Sequence, residues 1–199
     1  MATVKGECGH AQCPLQPTNS PPTGPSPTRA AWAEGYLIQS RSDFEVFDML
    51  GQASSRVAEC HRLHYLQMAC EKIAKAYRLR DTNAALETAM NSHLGFTHFM
   101  NQFLGSAAMR RRYRGRENAL IQARQAANRL AREIEKLAPA VDRHRSPANT
   151  EYPWADGERV VVPCKYTYGN LSLLNERGGV NLLKFIRIAL DEFDSIEIA

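Results

Sequence analysis

The stretch RHRSPANTEYPW, residues 143–154, gathers side chains able to act on a phosphate and on a base. A guanidinium presents a planar fork of donors that matches phosphate oxygens two at a time, so Arg143 and Arg145 could hold one bidentately. Tyr152 and Trp154 offer faces for a stacked base, a contact of about 1–3 kcal/mol. His144 or Glu151 could move a proton, the carboxylate only where burial lifts its pKa toward neutrality. The same residues also admit a structural account. In it, Tyr152-Pro153-Trp154 pins the loop to the body of the domain and Asn149 closes a turn.

A second cluster lies upstream in MRRRYRGR, with Arg110, Arg111, Arg112, Arg114 and Arg116. Between Ser106 and Arg145, ten arginines and one lysine oppose Glu117, Glu133, Glu135 and Asp142, a local +7 in a chain of net charge +4. A surface of that kind suits phosphate or an acidic partner, and a solvated helix face is the competing account. Arginines crowded before a helix start also oppose its macrodipole, a conflict that a bound anion or plain solvation would relieve.

Other candidates are thinner. His61 and His64 stand three apart, as two metal ligands or as a polar pair beside a helix seam. Cys8, His10 and Cys13 have ligand-like spacing but no fourth ligand nearby, so neither a metal nor a cofactor is expected. Glycine-rich phosphate loops, dinucleotide fingerprints and hydrolase constellations are missing, which argues against a conventional metabolic enzyme.

These residues need a scaffold, and the proline map suggests one. Six of ten prolines fall between Pro14 and Pro27, and none recurs until Pro139. An interior proline costs a helix about 3 kcal/mol, so the gap leaves room for long helices. Residues 1–40 read as a disordered Pro-rich tail and 41–199 as one helical domain. The first helix is expected at Ser42, where Ser42 and Glu45 spell a capping box, with a break near Gly51. From Arg56 to about Leu79, Leu63, Leu66, Cys70, Ile73, Ala74 and Tyr77 recur at helical spacing. Glu71, Lys72 and Lys75 fall off the centre of that stripe, within reach of water. A third helix is expected over 84–104, with Leu86, Met90, Leu94, Phe99, Met100 and Phe103 inward. A fourth runs from Glu117 to Leu137 with Leu120, Ala123, Ala127, Leu130 and Ile134 along its seam. The alternation from Arg159 to Tyr168 predicts a short hairpin or extended arm. A last helix is expected from near Asn170, interrupted at Gly178–Gly179 and resuming through Leu182, Phe185, Ile186, Ala189 and Phe193. The expected fold is all-α, an antiparallel bundle of four to five helices with the arm before the last one. No apolar run approaches the roughly 20 residues of a membrane span. The five scattered cysteines and the lack of a signal-type apolar core lead to a cytoplasmic expectation with no membrane partner.

The helix wording YLQMACEKIAKA at 65–76, with Glu71, Lys72 and Lys75, resembles the HEPN family, helical nucleotide-binding domains of bacterial conflict systems. The segment from His93 to Leu104 resembles that family's following His-containing helix. The resemblance covers roughly residues 43–105 and the remainder by architecture. It implies RNA or nucleotide binding in a defence or toxin–antitoxin setting. It also implies a homodimer or a protein partner such as a nucleotidyltransferase, and in many members metal-independent ribonuclease action. In that chemistry Arg143 or Arg145 would stabilise the transition state while His144 or Glu151 moved the proton, with Asn149 and Tyr152 among the RNA contacts. The family's late Arg, four to six residues, then His pattern is broken here, because Thr150 stands nearest to the histidine's place. A literal match, Arg56 to His61, lies ahead of the Glu-Lys helix, on the wrong side for the pattern. The alternative is a non-catalytic interaction protein.

Overall fold

The computed structural model describes residues 26–53 and 57–198, so Cys8, His10, Cys13 and Arg56 lie outside the described residues. The described chain is mainly helical: α1 (Arg29–Gln52), α2 (Glu59–Arg80), α3 (Leu86–Asn91), α4 (Phe96–Gly105), α5 (Ala107–Arg112), α6 (Glu117–Glu135) and α7 (Arg177–Asp191). Strands β1 (Trp154–Asp156) and β2 (Arg159–Val161) form an antiparallel hairpin before α7. Among the described residues no helix is long and apolar enough to cross a membrane.

Helix α1 starts well before Ser42. Its cap is Thr28, whose Oγ1 accepts from the Ala31 amide at 3.2 Å, and Ala33, Leu37, Phe44 and Phe47 carry one buried face through the whole helix. Ser42 and Glu45 are mid-helix and exposed, so the capping box does not form. The tail boundary at residue 40 is corrected accordingly, since residues 29–40 are helical. Contacts between α1 and α2 run Arg62 over Phe47, Lys72 to Asp43, and Arg29 to the Asp81 carbonyl, which makes the two helices antiparallel.

The stripe expected on α2 is buried as read, from Leu63 to Tyr77. Tyr77 anchors an aromatic cluster, with ring centroids 4.9 Å from Phe99 and 4.8 Å from Phe193, and its hydroxyl donates to the Ala189 carbonyl at 3.0 Å. Burial pushes that phenol well above its ordinary value. The helix expected over 84–104 divides into α3 and α4. The division follows from Glu135 of α6, whose carboxylate accepts from the Gly95 amide at 2.5 Å and from Thr97 Oγ1 at 2.8 Å. A cap borrowed from another helix ends the need for a continuous one, and Leu94 in the break is exposed rather than core.

Helix α6 keeps its predicted seam: Leu120, Ala123, Ala127, Leu130 and Ile134 are buried. The hairpin sits earlier than the alternation suggests, with Trp154 opposite Val161 and Gly157 turning at φ +61°. Pro163 then starts a 3-10 turn, Pro163–Lys165, because proline fits a first helical position and cannot extend the ladder. A second 3-10 segment, Gly169–Asn175, precedes α7. At Gly179 a Cβ would fall 2.2 Å from the Leu174 Cα, so this close backbone approach admits only glycine.

Candidate functional site

The loop between α6 and β1 is built around Arg143. Its guanidinium donates to the carbonyls of Leu137 (2.9 Å), Ala138 (2.7 Å), Ala148 (2.9 Å), Lys136 (3.1 Å) and Ser146 (3.3 Å). The last carbonyls of a helix and those of the following turn lack partners of their own, and one planar fork satisfies several of them at once. Burial pulls the Arg143 guanidinium down from its ordinary value, opposed by the Glu151 carboxylate. Arg143 is therefore a clamp on its own loop, not the phosphate holder that the sequence suggests.

Asn149 is the second pin. Its Oδ1 accepts from the Glu151 and Tyr152 amides at 2.9 and 2.7 Å, and its Nδ2 donates to the Pro147 and Tyr152 carbonyls. The Tyr168 hydroxyl donates to the Asn149 carbonyl at 2.7 Å. The turn-closing account of Asn149 matches this geometry, and a buried Asn149 has no free edge for RNA.

His144, Arg145 and Tyr152 face outward, while Thr150 is buried. Arg145 is 89% exposed with Asp142 at 3.6 Å, and His144 is exposed. Tyr152 is 70% exposed, whereas Trp154 lies against Tyr166 with centroids 5.0 Å apart. Glu151 meets a residue that the loop alone does not announce: His64 Nδ1 of α2 lies 3.5 Å from its Oε1. The structure thus brings Glu151 to His64 and leaves His144 and Arg145 apart in solvent. His61 is exposed, and no cluster of metal-ligand side chains occurs among the described residues.

The upstream arginines are carried by α5 and the turn after it. Ser106 caps this helix, its Oγ accepting from the Met109 amide, and buried Met109 holds it to the core. Arg112 pairs with Glu192 at 2.6 Å, and Arg116 lies over the Tyr113 ring. Arg110, Arg111 and Arg114 are exposed, and their side chains make no hydrogen bond or ion pair among the described residues.

One group escapes sequence reasoning. Lys75, expected in water, is 6% exposed, and its Nζ is 2.9 Å from Glu71 Oε1. Gln67 Nε2 donates to Glu71 Oε2 at 3.0 Å, and His93 Nδ1 lies 2.9 Å from Oε1. Lys72 pairs with buried Asp43 at 2.5 Å. Helices α1 and α3 cover this face of α2, which the stripe on α2 by itself leaves open. Glu71, Lys75 and His93 border a cavity of about 760 Å³ that extends past Arg78, Asp81 and His98. A second cavity of about 540 Å³ adjoins it, bordered by Asn101, Arg110 and Arg124.

No protein-family model matches this chain, and no curated protein or solved structure matches it either.

Proposed function

We propose that this chain is a HEPN-like antiparallel helical bundle that binds RNA or a nucleotide, acting in the cytoplasm within a bacterial defence or toxin–antitoxin system. The observation that carries the reading is the row of arginines on α5 and its following turn, Arg110, Arg111 and Arg114, exposed and without a side-chain partner among the described residues, on a helix that Met109 roots in the core. Cations without carboxylate partners keep their full attraction for phosphates, and each phosphate neutralised releases counterions. The role is binding rather than cutting. Arg143, one of the two arginines that the sequence offers to steady a charged transition state, uses its donors on five backbone carbonyls.

The test is fluorescence anisotropy of a labelled mixed-sequence RNA with the full chain, in EDTA, across a salt series. Binding should weaken steeply with salt, fall at least tenfold in the Arg110/Arg111/Arg114→Gln variant, and leave the RNA intact. EDTA-resistant cleavage that disappears in Arg145→Ala would replace this reading with a nuclease using the exposed loop arginine.

A second reading has its own observation. Tyr152 and Val160 at the hairpin are 70% and 72% exposed, an apolar surface suited to a protein partner, either a second copy or a nucleotidyltransferase. Sedimentation of the pure chain distinguishes self-association, which Tyr152→Ser with Val160→Ser should abolish.

A further inference from the structure

The two cavities share His98, Gln102, Glu197 and Ile198 as borders and so form one groove. It starts beside Arg78 near the end of α2, passes α4, and ends between Arg110 of α5 and Arg124 of α6. Each half, about 760 and 540 Å³, lies in the size range of small-ligand sites.

The charges along the groove are unevenly matched. Arg78 and Arg110 are exposed, and their side chains make no hydrogen bond or ion pair among the described residues. Arg124 gives its Nε to Asn101 Oδ1 at 3.2 Å, which leaves its terminal nitrogens available. Two of the carboxylates are already occupied: Glu71 by Gln67, Lys75 and His93, and Asp81 by the Asn83 amide at 2.9 Å. Glu197 is different. Among the described residues it is the one carboxylate bordering the second cavity, where Arg110 and Arg124 also stand. Its position is fixed by neighbours, because Ile196 is buried and Arg80 donates to the carbonyls of Phe193 and Ile196.

We infer that this groove is the track of a single strand of RNA, with Arg78, Arg110 and Arg124 on its phosphates and Glu197 weakening its hold by repulsion. The inference rests on the RNA-binding reading above and gives it a place and a strand type. Between the cation positions stand the exposed His98 ring and exposed Leu94, surfaces on which unpaired bases can lie, and Thr82, Asn83 and Asn101 offer partners for base edges. An acidic polypeptide would use the same cations, and competition with polyglutamate separates it from RNA. A duplex has its bases paired and stacked, so it cannot lay them along the groove.

The test uses the full chain and a labelled single-stranded RNA of about 10 nucleotides, within the range that such grooves cover. Arg78→Gln should weaken binding about fivefold and flatten the dependence of log K on log salt by about 0.7. Glu197→Gln should tighten binding about twofold to fivefold, the opposite sign, and melting temperatures should not move because both side chains are exposed. RNA binding that neither substitution alters would overturn the groove while leaving the arginines of α5 as the RNA surface. Failure of the unaltered chain to bind RNA overturns both. Equal binding of a duplex of the same sequence overturns the single-strand assignment. Displacement of the RNA by polyglutamate at matched charge would give the groove to an acidic polypeptide instead.

Discussion

Arg143 shows how one side chain can look functional and be structural. A free guanidinium in a loop is a phosphate binder; the same group within 2.7–3.3 Å of five carbonyls supplies the hydrogen bonds that the end of α6 lacks. Hydrogen bonds to a charged group contribute more than neutral ones, and losing them here strands several carbonyls together. Arg143→Ala should therefore cost about 2–4 kcal/mol in chemical denaturation. Arg143→Lys should recover little of it, because an ammonium cannot span the same set of carbonyls. Arg145→Ala, at an exposed site, should stay within about 0.5 kcal/mol of the unaltered chain. Equal effects at 143 and 145 would contradict the clamp. Backbone carbonyls have no signature in sequence, which is why the residue types at 143–151 are legible and the direction each one faces is not. His64 beside Glu151 is hidden for a similar reason, since the two are brought together only when the loop folds back on α2.

Helices whose signals are local are read correctly, and those whose signals come from elsewhere are not. The seams of α2 and α6 follow from apolar spacing, and both helices appear where that spacing places them. The start of α1 is missed because Thr28 lies at the edge of a proline-rich segment whose composition outweighs a single cap residue. The break between α3 and α4 is held by Glu135, a residue of α6, and its local signs are only Ser92 and Gly95 at the two helix ends. The join before α7 offers two checks. Gly179→Ala would drive a methyl onto the Leu174 backbone and should cost at least about 1–3 kcal/mol in thermal melting. Glu133 fastens α6 to the segment before α7. Burial raises its pKa, but the hydrogen bonds from Lys136 and from Asn170 outweigh burial and leave it below the ordinary carboxylate value. A carboxylate depressed in the folded state stabilises above its unfolded pKa, and that contribution is lost as pH falls through the folded one. The melting-temperature gap between the unaltered chain and Glu133→Gln should accordingly be widest near neutrality and close below the ordinary carboxylate range. A gap that widens on acidification would contradict this.

At the scale of the whole molecule, the distribution of charge is more telling than its total. The +7 of residues 106–145 is legible from composition, but its division is not. Arg112, Arg116 and Arg143 are taken up by Glu192, by Tyr113 and by backbone carbonyls, while Arg110, Arg111 and Arg114 are left to solvent. Exposed arginines with no side-chain hydrogen bond or ion pair among the described residues thus stand on α5 and the turn beyond it, beside the groove that α2, α4 and α6 border, and also at Arg129 and Arg132 of α6. The groove itself has no sequence signal, because its two ends come from segments far apart in the chain. The measurement that bears most directly on this account is the affinity of the full chain for RNA across a salt series, set against the Arg110/Arg111/Arg114→Gln variant. Neutralising about five phosphates of a single strand, by Arg110, Arg111 and Arg114 with Arg78 and Arg124, gives a slope of log K against log salt of about −3.5, of which the variant should lose about 2. No RNA binding at low salt, or a slope that the variant leaves unchanged, would contradict the account.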